Sequence, residues 1–523
     1  MSKRLFKSSA VVSAMTLPSR ILGFVRDMVV AVSFGASDMT DAFLVAFRIP
    51  NLLRRMFAEG AFAQAFVPVF TEYRETRDPS ELQDLADHTT GTLMLVLSLI
   101  TAIGILGAPL IILLFAPGFS DAPDKQALAT WMLRLTFPYL LFISLTALAS
   151  GILNSYGKFA VPAFTPVFLN LVLIAAALWL APLLDQPITA LAWGVLIAGL
   201  VQLAFQLPAL WRIGLLPRPR FRRGHEGVRR IIKLMLPALL GSSVAQINML
   251  LNTLLASFLM TGSISWLYFS DRFVELPLAL FGIAISTVIL PRLSAEHARQ
   301  SGEAFNATLD WGLRLGLLIA LPAMLGLMLL AGPILATLLQ YKAFTPFDNH
   351  MAAISLAVYS IGLPGFALVK ILAPGFYARQ DTVTPVRIAM IAIFSNIVLY
   401  GVLFLPWFKL GGPAPHAVLA LCTASAAWIN ASLLLRQLRR SGVYRPQRVW
   451  LSLMPRVALA LLAMGLSLYL VTPELAAWQH WGIARRIATL TGLIGLGAAI
   501  YPAVLYLTGL RLDKLLDLPT ENA

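Results

Sequence analysis

The chain is a succession of long apolar runs joined by short polar connections. The runs fall near residues 8–34, 40–70, 89–116, 127–152, 160–181, 187–211, 231–260, 264–291, 309–340, 350–377, 386–407, 414–436, 449–471 and 484–509. Each is about 20 residues or longer, the length an α-helix needs to cross the hydrocarbon core of a bilayer. None shows the two-residue alternation of a membrane barrel, and lipid offers no partners to the backbone of an open strand. The pattern predicts an all-α integral membrane protein with fourteen transmembrane helices.

The two halves echo each other at an offset of about 219–224 residues. Leu17-Pro18 opens the first run and Leu236-Pro237 the seventh; Phe47-Arg48 aligns with Asp271-Arg272. Val67-Pro68 near the end of run two matches Leu290-Pro291 near the end of run eight, and Gly151 to Lys158 echoes Gly375 to Asp381. Each repeat holds six runs, an even number, so the repeats run parallel. Parallel repeats related by an axis along the membrane normal are a transporter pattern, with the substrate site at the lobe interface. The predicted organisation is an N-terminal lobe over 1–222, a C-terminal lobe over 223–442, and an added helix pair within 443–523.

Composition agrees: 58% of the 523 residues are hydrophobic and only 12% charged, with a mean hydropathy of +0.79, far from the usual soluble balance. The net charge of +15 raises a nucleic-acid reading, but its distribution argues for a membrane. Segments on the side of both termini carry 25 Lys and Arg, against five (Lys125, Lys342, Lys409, Arg485 and Arg486) in the opposite loops. That bias is the positive-inside signature and predicts both termini in the cytoplasm. The densest run, Arg218-Pro219-Arg220-Phe221-Arg222-Arg223, reads as a topology determinant beside anionic headgroups rather than a nucleic-acid patch.

The remaining ten cations lie inside the runs: Arg20, Arg26, Arg48, Arg54, Arg55, Arg134, Arg272, Arg314, Lys370 and Arg456. A charge at the bilayer centre costs roughly 2.5–3.5 kcal/mol, so the five arginines of the first two runs cannot be left in lipid. They predict a hydrated cationic cavity that takes something negative. Asp41, Arg48 and Arg55 are spaced by seven and share a stripe on the second helix, which Glu59 extends. Arg20 and Asp27 share a face of the first helix with Arg26 beside them, and Asp271, Arg272 and Glu275 cluster on the eighth. Structural pairing is the competing account: Arg48 with Asp41, Arg55 with Glu59, Arg272 with Glu275. It leaves a surplus, six arginines against five acids. Arg134, Arg314 and Arg456 sit near helix ends and read as snorkelling residues; Lys370 fits either description. Arginine's planar fork binds phosphate bidentately and keeps its charge, which suits a pyrophosphate.

Other chemistry is poorly supported. Gly151 to Lys158 lacks Walker A spacing. The six histidines are scattered without metal-ligand spacing, and no loop is large enough for a catalytic domain. Cys422, the single cysteine, excludes an intrachain disulfide. No cofactor is identified.

The stretch Ser19-Arg20-Ile21-Leu22-Gly23-Phe24-Val25-Arg26-Asp27, then Thr40-Asp41-Ala42-Phe43 and Pro50-Asn51-Leu52-Leu53-Arg54-Arg55-Met56-Phe57-Ala58-Glu59-Gly60, resembles the bacterial MurJ (MviN) family of lipid II flippases. Ser270-Asp271-Arg272, Ala373 to Asp381 and the added helix pair extend the resemblance along essentially the whole chain. It implies membership of the multidrug/oligosaccharidyl-lipid/polysaccharide exporter superfamily, with two six-helix lobes and alternating access. The implied cargo is lipid II, an undecaprenyl-pyrophosphate-linked disaccharide-pentapeptide, carried from the inner to the outer leaflet of the bacterial cytoplasmic membrane. The resemblance assigns Arg20, Arg26, Arg54 and Arg272 to the cavity and Asp41, Glu59 and Glu275 to gating or orienting them. It assigns the last two helices to a groove for the isoprenoid tail. It leaves open the coupling ion and any partnership with cell-wall synthesis proteins. The alternatives are a flippase for another polyprenyl-linked glycan, a drug antiporter, whose cavity should be acidic rather than cationic, or a non-transporting scaffold of cell-wall synthesis.

Overall fold

A computed structural model of the chain describes residues 3–56, 61–221, 224–279 and 283–510. Every regular element among them is helical. Glu59, with the rest of 57–60, and Arg222-Arg223 of the basic run lie outside the described residues. Ten helical stretches are long and apolar enough to cross a membrane by length and composition: Pro79–Leu106, Pro123–Ser155, Ala160–Leu183, Thr189–Arg212, Gly302–Leu329, Pro346–Tyr377, Val383–Lys409, Pro415–Arg440, Val449–Val471 and Ile483–Leu507. The other four expected spans coincide with charge-bearing helices outside those ten.

Packing divides the chain into two compact units, Met1–Ser265 and Trp266–Ala523. The first contains α1 (Lys3–Phe34), α2 (Asp38–Arg54), α3 (Phe62–Thr76), α4 (Pro79–Leu106), α5 (Pro123–Thr136), α6 (Tyr139–Ser155), α7 (Pro166–Ala175), α8 (Thr189–Arg212) and α9 (Glu226–Ala256). The unit boundary falls within the first turn of α10 (Ser263–Pro277). The second contains α11 (Ile283–Ala298), α12 (Gly302–Leu329), α13 (Ala331–Leu338), α14 (Pro346–Ser360), α15 (Leu363–Tyr377), α16 (Val383–Leu399), α17 (Pro415–Arg440), α18 (Val449–Val471) and α19 (Ile483–Leu507).

Helix starts follow local chemistry. The Ser37 hydroxyl accepts the Thr40 amide at 3.3 Å, and Asp38 and Asp41 place negative charge in the first turn of α2. Thr345 and Asp348 form a reciprocal capping box around Pro346 at the start of α14. Leu95, Leu99, Ile103, Leu106, Leu110 and Leu114 are all exposed. Their spacing of three or four makes one apolar stripe along α4 and the short helix after it, a face that suits lipid rather than water.

Each unit has its own core, built from corresponding parts of the chain. In the first, Phe62, Phe66 and Phe70 of α3 stack along one face against Leu85, Ile152 and Val228. In the second, Ile289 and Leu293 of α11 pack with Leu309, Ile371 and Leu434. A single π turn follows α7 at Ala176–Leu180, and another follows α16 at Tyr400–Phe404. Their starts differ by 224 residues (400 less 176), matching the sequence offset. In the second unit, α18 and α19 pack on each other, α18 against α12 and α19 against α13.

The connection after α8 is stitched to the first turns of α4. Asp87 accepts the Arg218 amide at 2.8 Å and Gln83 Nε2 at 2.7 Å, while its carbonyl accepts the Arg220 amide at 3.1 Å. Gly91 lies directly beneath the Arg220 backbone, where any Cβ would collide. These bonds hold His225, the N-cap of α9, beside His88.

Candidate functional site: charged groups within the helices

On α1, the buried Arg26 donates from Nε and Nη2 to Asp27 Oδ1 at 3.0 and 2.6 Å, and from Nη1 to Asn170 Oδ1 at 3.1 Å. Asn170 Nδ2 donates to the Ser19 carbonyl at 2.9 Å, tying α7 to α1. Adjacent residues do not share a helix face, but the long arginine folds back far enough to meet its neighbour. Arg20 stands one and a half turns earlier and is exposed. Charge spacing alone does not point to Asn170, although a lone amide within the apolar segment PVFLNLVLIA is a usable signal.

Asp41 is 1% exposed and accepts four hydrogen bonds. They come from Lys125 Nζ at 3.2 Å, the Gly262 and Ser265 amides at 2.9 and 3.0 Å, and Ser265 Oγ at 2.6 Å. The carboxylate thus satisfies amides at the start of α10, where unpaired donors and the helix dipole favour negative charge. Its ionic partner is Lys125 rather than Arg48. Arg48, two turns further on, reaches α9 instead, where its Nη1 donates to Thr253 Oγ1. Arg54 donates from Nε to Asn51 Oδ1 at 3.0 Å, and Arg55 is half-buried on the same turn.

Asp38, at the polar end of α2, accepts Lys125 Nζ and Thr261 Oγ1, each at 2.7 Å. Burial pushes its carboxyl up, but the hydrogen bonds from Lys125 and Thr261, with the lysine charge, outweigh it and hold it below the usual carboxylate range. A carboxyl depressed by folding stabilises the folded state fully above its unfolded pKa, and that stabilisation is lost as pH falls through the folded value. The Asp38→Asn variant should therefore differ from wild type by a constant amount from neutrality to about pH 4.5, the gap closing below about pH 4. Thermal unfolding in detergent across that range checks it. The effect will be small, because the Asp38 side chain is 54% exposed and the pair is screened.

In the second unit, Arg272 pairs with Glu275 at 2.8 Å, reaches the Tyr268 hydroxyl at 3.3 Å and lies over the Tyr268 ring. The expected Arg272–Glu275 pair is thus present. Asp271, one residue earlier, stands near the Tyr359 hydroxyl of α14.

Two charged anchors are not foreseen from the sequence. Arg314, expected to snorkel, instead pairs at 3.0 Å with Asp310, which is fully buried and also accepts the Tyr444 hydroxyl at 2.8 Å and Trp450 Nε1 at 2.7 Å. Arg486, expected in a loop, is buried and donates to the carbonyls of Ala336 at 2.7 Å, Gln340 at 3.1 Å, Trp481 at 3.1 Å and Gln479 at 3.4 Å. It occupies the carbonyl-rich C-terminal end of α13, where the dipole favours a cation. Arg134 is exposed and donates only weakly to the Ile105 carbonyl, in keeping with a helix-end residue.

Long lipid-suited helices in two units with matching cores, carrying arginines and carboxylates inside the apolar stretches, define a multi-pass membrane protein built on a transporter plan. A family model described as "Lipid II flippase MurJ" matches residues 30–488, and the chain belongs to that family. It is 50% identical over 521 residues to the probable lipid II flippase MurJ of Vibrio cholerae, covering 98% of both chains. It is 40% identical to the lipid II flippase MurJ of Burkholderia cenocepacia, covering 97% and 98%. A solved structure described as lipid II flippase MurJ in an inward closed conformation superposes with a TM-score of 0.79 at 28% identity, covering 95% of this chain and 98% of that one. A multidrug resistance MATE family transporter of the MOP superfamily shares the fold at a TM-score of 0.66 and 15% identity, covering 81% and 95%.

Proposed function

We propose that this chain flips lipid II from the inner to the outer leaflet of the bacterial cytoplasmic membrane, using arginines within its helices to hold the pyrophosphate while the isoprenoid tail stays in lipid. The observation that carries the proposal is near-full-length similarity to lipid II flippases, together with the arginine-bearing segment 19–60. Arg20, Arg26, Arg48, Arg54, Arg55 and Arg272 are the substrate-facing cations. Asp27, Asp41, Glu59, Asp271 and Glu275 are the acids that pair with or orient charge when substrate is absent. Arg26 and Arg272 illustrate the exchange: each holds a carboxylate that a pyrophosphate would displace. Arg20 is exposed on α1, so it meets the cargo without first breaking the Arg26–Asp27 pair.

The four charge-bearing segments bring the spans to fourteen. The repeat arranges twelve of them as lobes over 1–222 and 223–442, and the pair within 443–523 supplies a groove for the lipid tail. Both termini lie in the cytoplasm, on the side carrying most of the positive charge.

The test is lipid II translocation in proteoliposomes, with complementation in cells. Arg20→Ala, Arg26→Ala and Arg272→Ala should each lower translocation about tenfold to hundredfold, the value of a hydrogen bond to a charged group. Arg20→Lys should restore only part of the loss, because lysine cannot present a bidentate fork. Wild-type rates in all three alanine variants would sink the arginine-grip reading. Equal transport of an unrelated polyprenyl-linked glycan would broaden the substrate to that class.

A further inference from the structure

We propose that Asp84, His88 and His225 form a binding site for a divalent transition-metal ion of the zinc class. Among the described residues they are the one group of three metal-ligating side chains whose ligand atoms converge within 4.8 Å. Asp84 and His88 are four apart on α4, the spacing that aims two ligands from one helix face at a single ion. His225 arrives from the opposite direction as the N-cap of α9.

Asp84 sits at the centre. His88 Nδ1 lies 3.2 Å from its Oδ1, and His225 Nε2 lies 3.2 Å from its Oδ2. A tetrahedral zinc with bonds of about 2.0–2.1 Å separates its ligands by about 3.3–3.4 Å, so these two edges already have nearly the right length, and His88 Nδ1 gives up its 2.8 Å bond to the Asp84 carbonyl when it turns to the ion. The imidazole rings stack with centroids 4.9 Å apart. His88 is buried, while Asp84 and His225 are partly open, leaving room for water as a fourth ligand. The surroundings hold the arrangement: Asp87, one turn along, fixes the 216–220 connection that delivers His225.

In the metal-bound form each ring coordinates as a neutral imidazole whose other nitrogen carries the proton. His225 then gives up the bond its Nδ1 accepts from the Val228 amide, which at 3.4 Å is long and weak. Two imidazoles and one carboxylate suit zinc, cobalt or nickel, whereas calcium and magnesium prefer all-oxygen sites.

The experiment uses full-length protein in detergent, purified with a histidine-free tag and stripped with EDTA, and titrated with Co²⁺. One equivalent should give the intense visible d–d absorption of low-coordinate cobalt, which one equivalent of Zn²⁺ abolishes and Mg²⁺ in excess does not. His88→Ala, His225→Ala and Asp84→Asn should each weaken Co²⁺ binding at least about tenfold. His480→Ala, at an exposed position outside the cluster, should leave it unchanged. Asp84→Asn preserves the shape and one of the two acceptor oxygens, so it decides the matter if an alanine variant fails to fold. Absence of a saturable one-equivalent band, or an unaltered band in Asp84→Asn, overturns the assignment.

Discussion

Replacing Asp41 with alanine is expected to destabilise the protein by about 3–5 kcal/mol, the cost of removing one partner from a buried, hydrogen-bonded ion pair. The size follows from what the substitution strands. The Lys125 side chain, only 9% exposed, loses its buried partner and keeps Asp38 at the surface. The Gly262 and Ser265 amides lose the acceptor that caps α10. Asp41→Asn retains the shape and part of the accepting capacity, so it should cost less, about 1–3 kcal/mol. Adding Lys125→Met to the alanine variant removes the stranded ammonium and should recover part of the loss, a positive coupling in a double-mutant cycle. Unfolding by SDS in mixed micelles measures wild type, both Asp41 variants, Lys125→Met and the double variant. A loss below about 1 kcal/mol for Asp41→Ala would show that surface-like pairing, not a buried clamp, describes this carboxylate.

That expectation changes how the charged residues divide. Spacing along a helix reports which face a residue occupies, yet Asp41 and Arg48, seven apart, meet different partners. It carries no information on what stands opposite. Ser265 is 224 residues from Asp41, and Asn170 is 144 from Arg26, so those partners are decided by tertiary packing. Hydropathy likewise locates the spans better than the helices. It begins the third at 89, but α4 starts at Pro79, because the polar turns around Gln83, Asp84 and Asp87 are helical while lying beyond the apolar run. Those turns hold the histidine–aspartate cluster. The six histidines are scattered along the chain, but two of them meet in space, since the connection after α8 brings His225 back onto His88. Arg486 is hidden for the opposite reason. Two charges before an apolar run look like a loop, yet α19 begins at Ile483 and turns Arg486 inward to the carbonyls of α13. The family-specific segment 19–60 is the most legible part, because a charge set inside an apolar helix must be answered by water, a counter-charge or a charged ligand.

The second large effect concerns the C-terminal helix pair. Asp310→Ala should cost about 3–5 kcal/mol and loosen α18 from α12. Asp310 Oδ1 accepts from two donors, Tyr444 in the connection before α18 and Trp450 in the first turn of α18, while Oδ2 forms an ion pair with Arg314 of its own helix. Burial and the neighbouring carboxylate push the Tyr444 phenol well above its ordinary value, so it remains a protonated donor at any physiological pH. Deleting the carboxylate leaves a largely buried guanidinium without its counter-charge, and a phenol and an indole N–H without their acceptor. The connection over 441–448 should become more susceptible to proteolysis, while α4 and the first unit keep their protection. Asp310→Leu combined with Arg314→Met replaces the ion pair with apolar groups of similar volume and should restore part of the stability, since the stranded guanidinium is gone while the Tyr444 hydroxyl and Trp450 N–H still lack their acceptor. Under the proposal that α18 and α19 hold the isoprenoid tail, Asp310→Ala should also lose lipid II translocation, and the double variant should regain it. Recovered stability without recovered translocation would assign Asp310 and Arg314 a part in transport beyond fastening the helix pair.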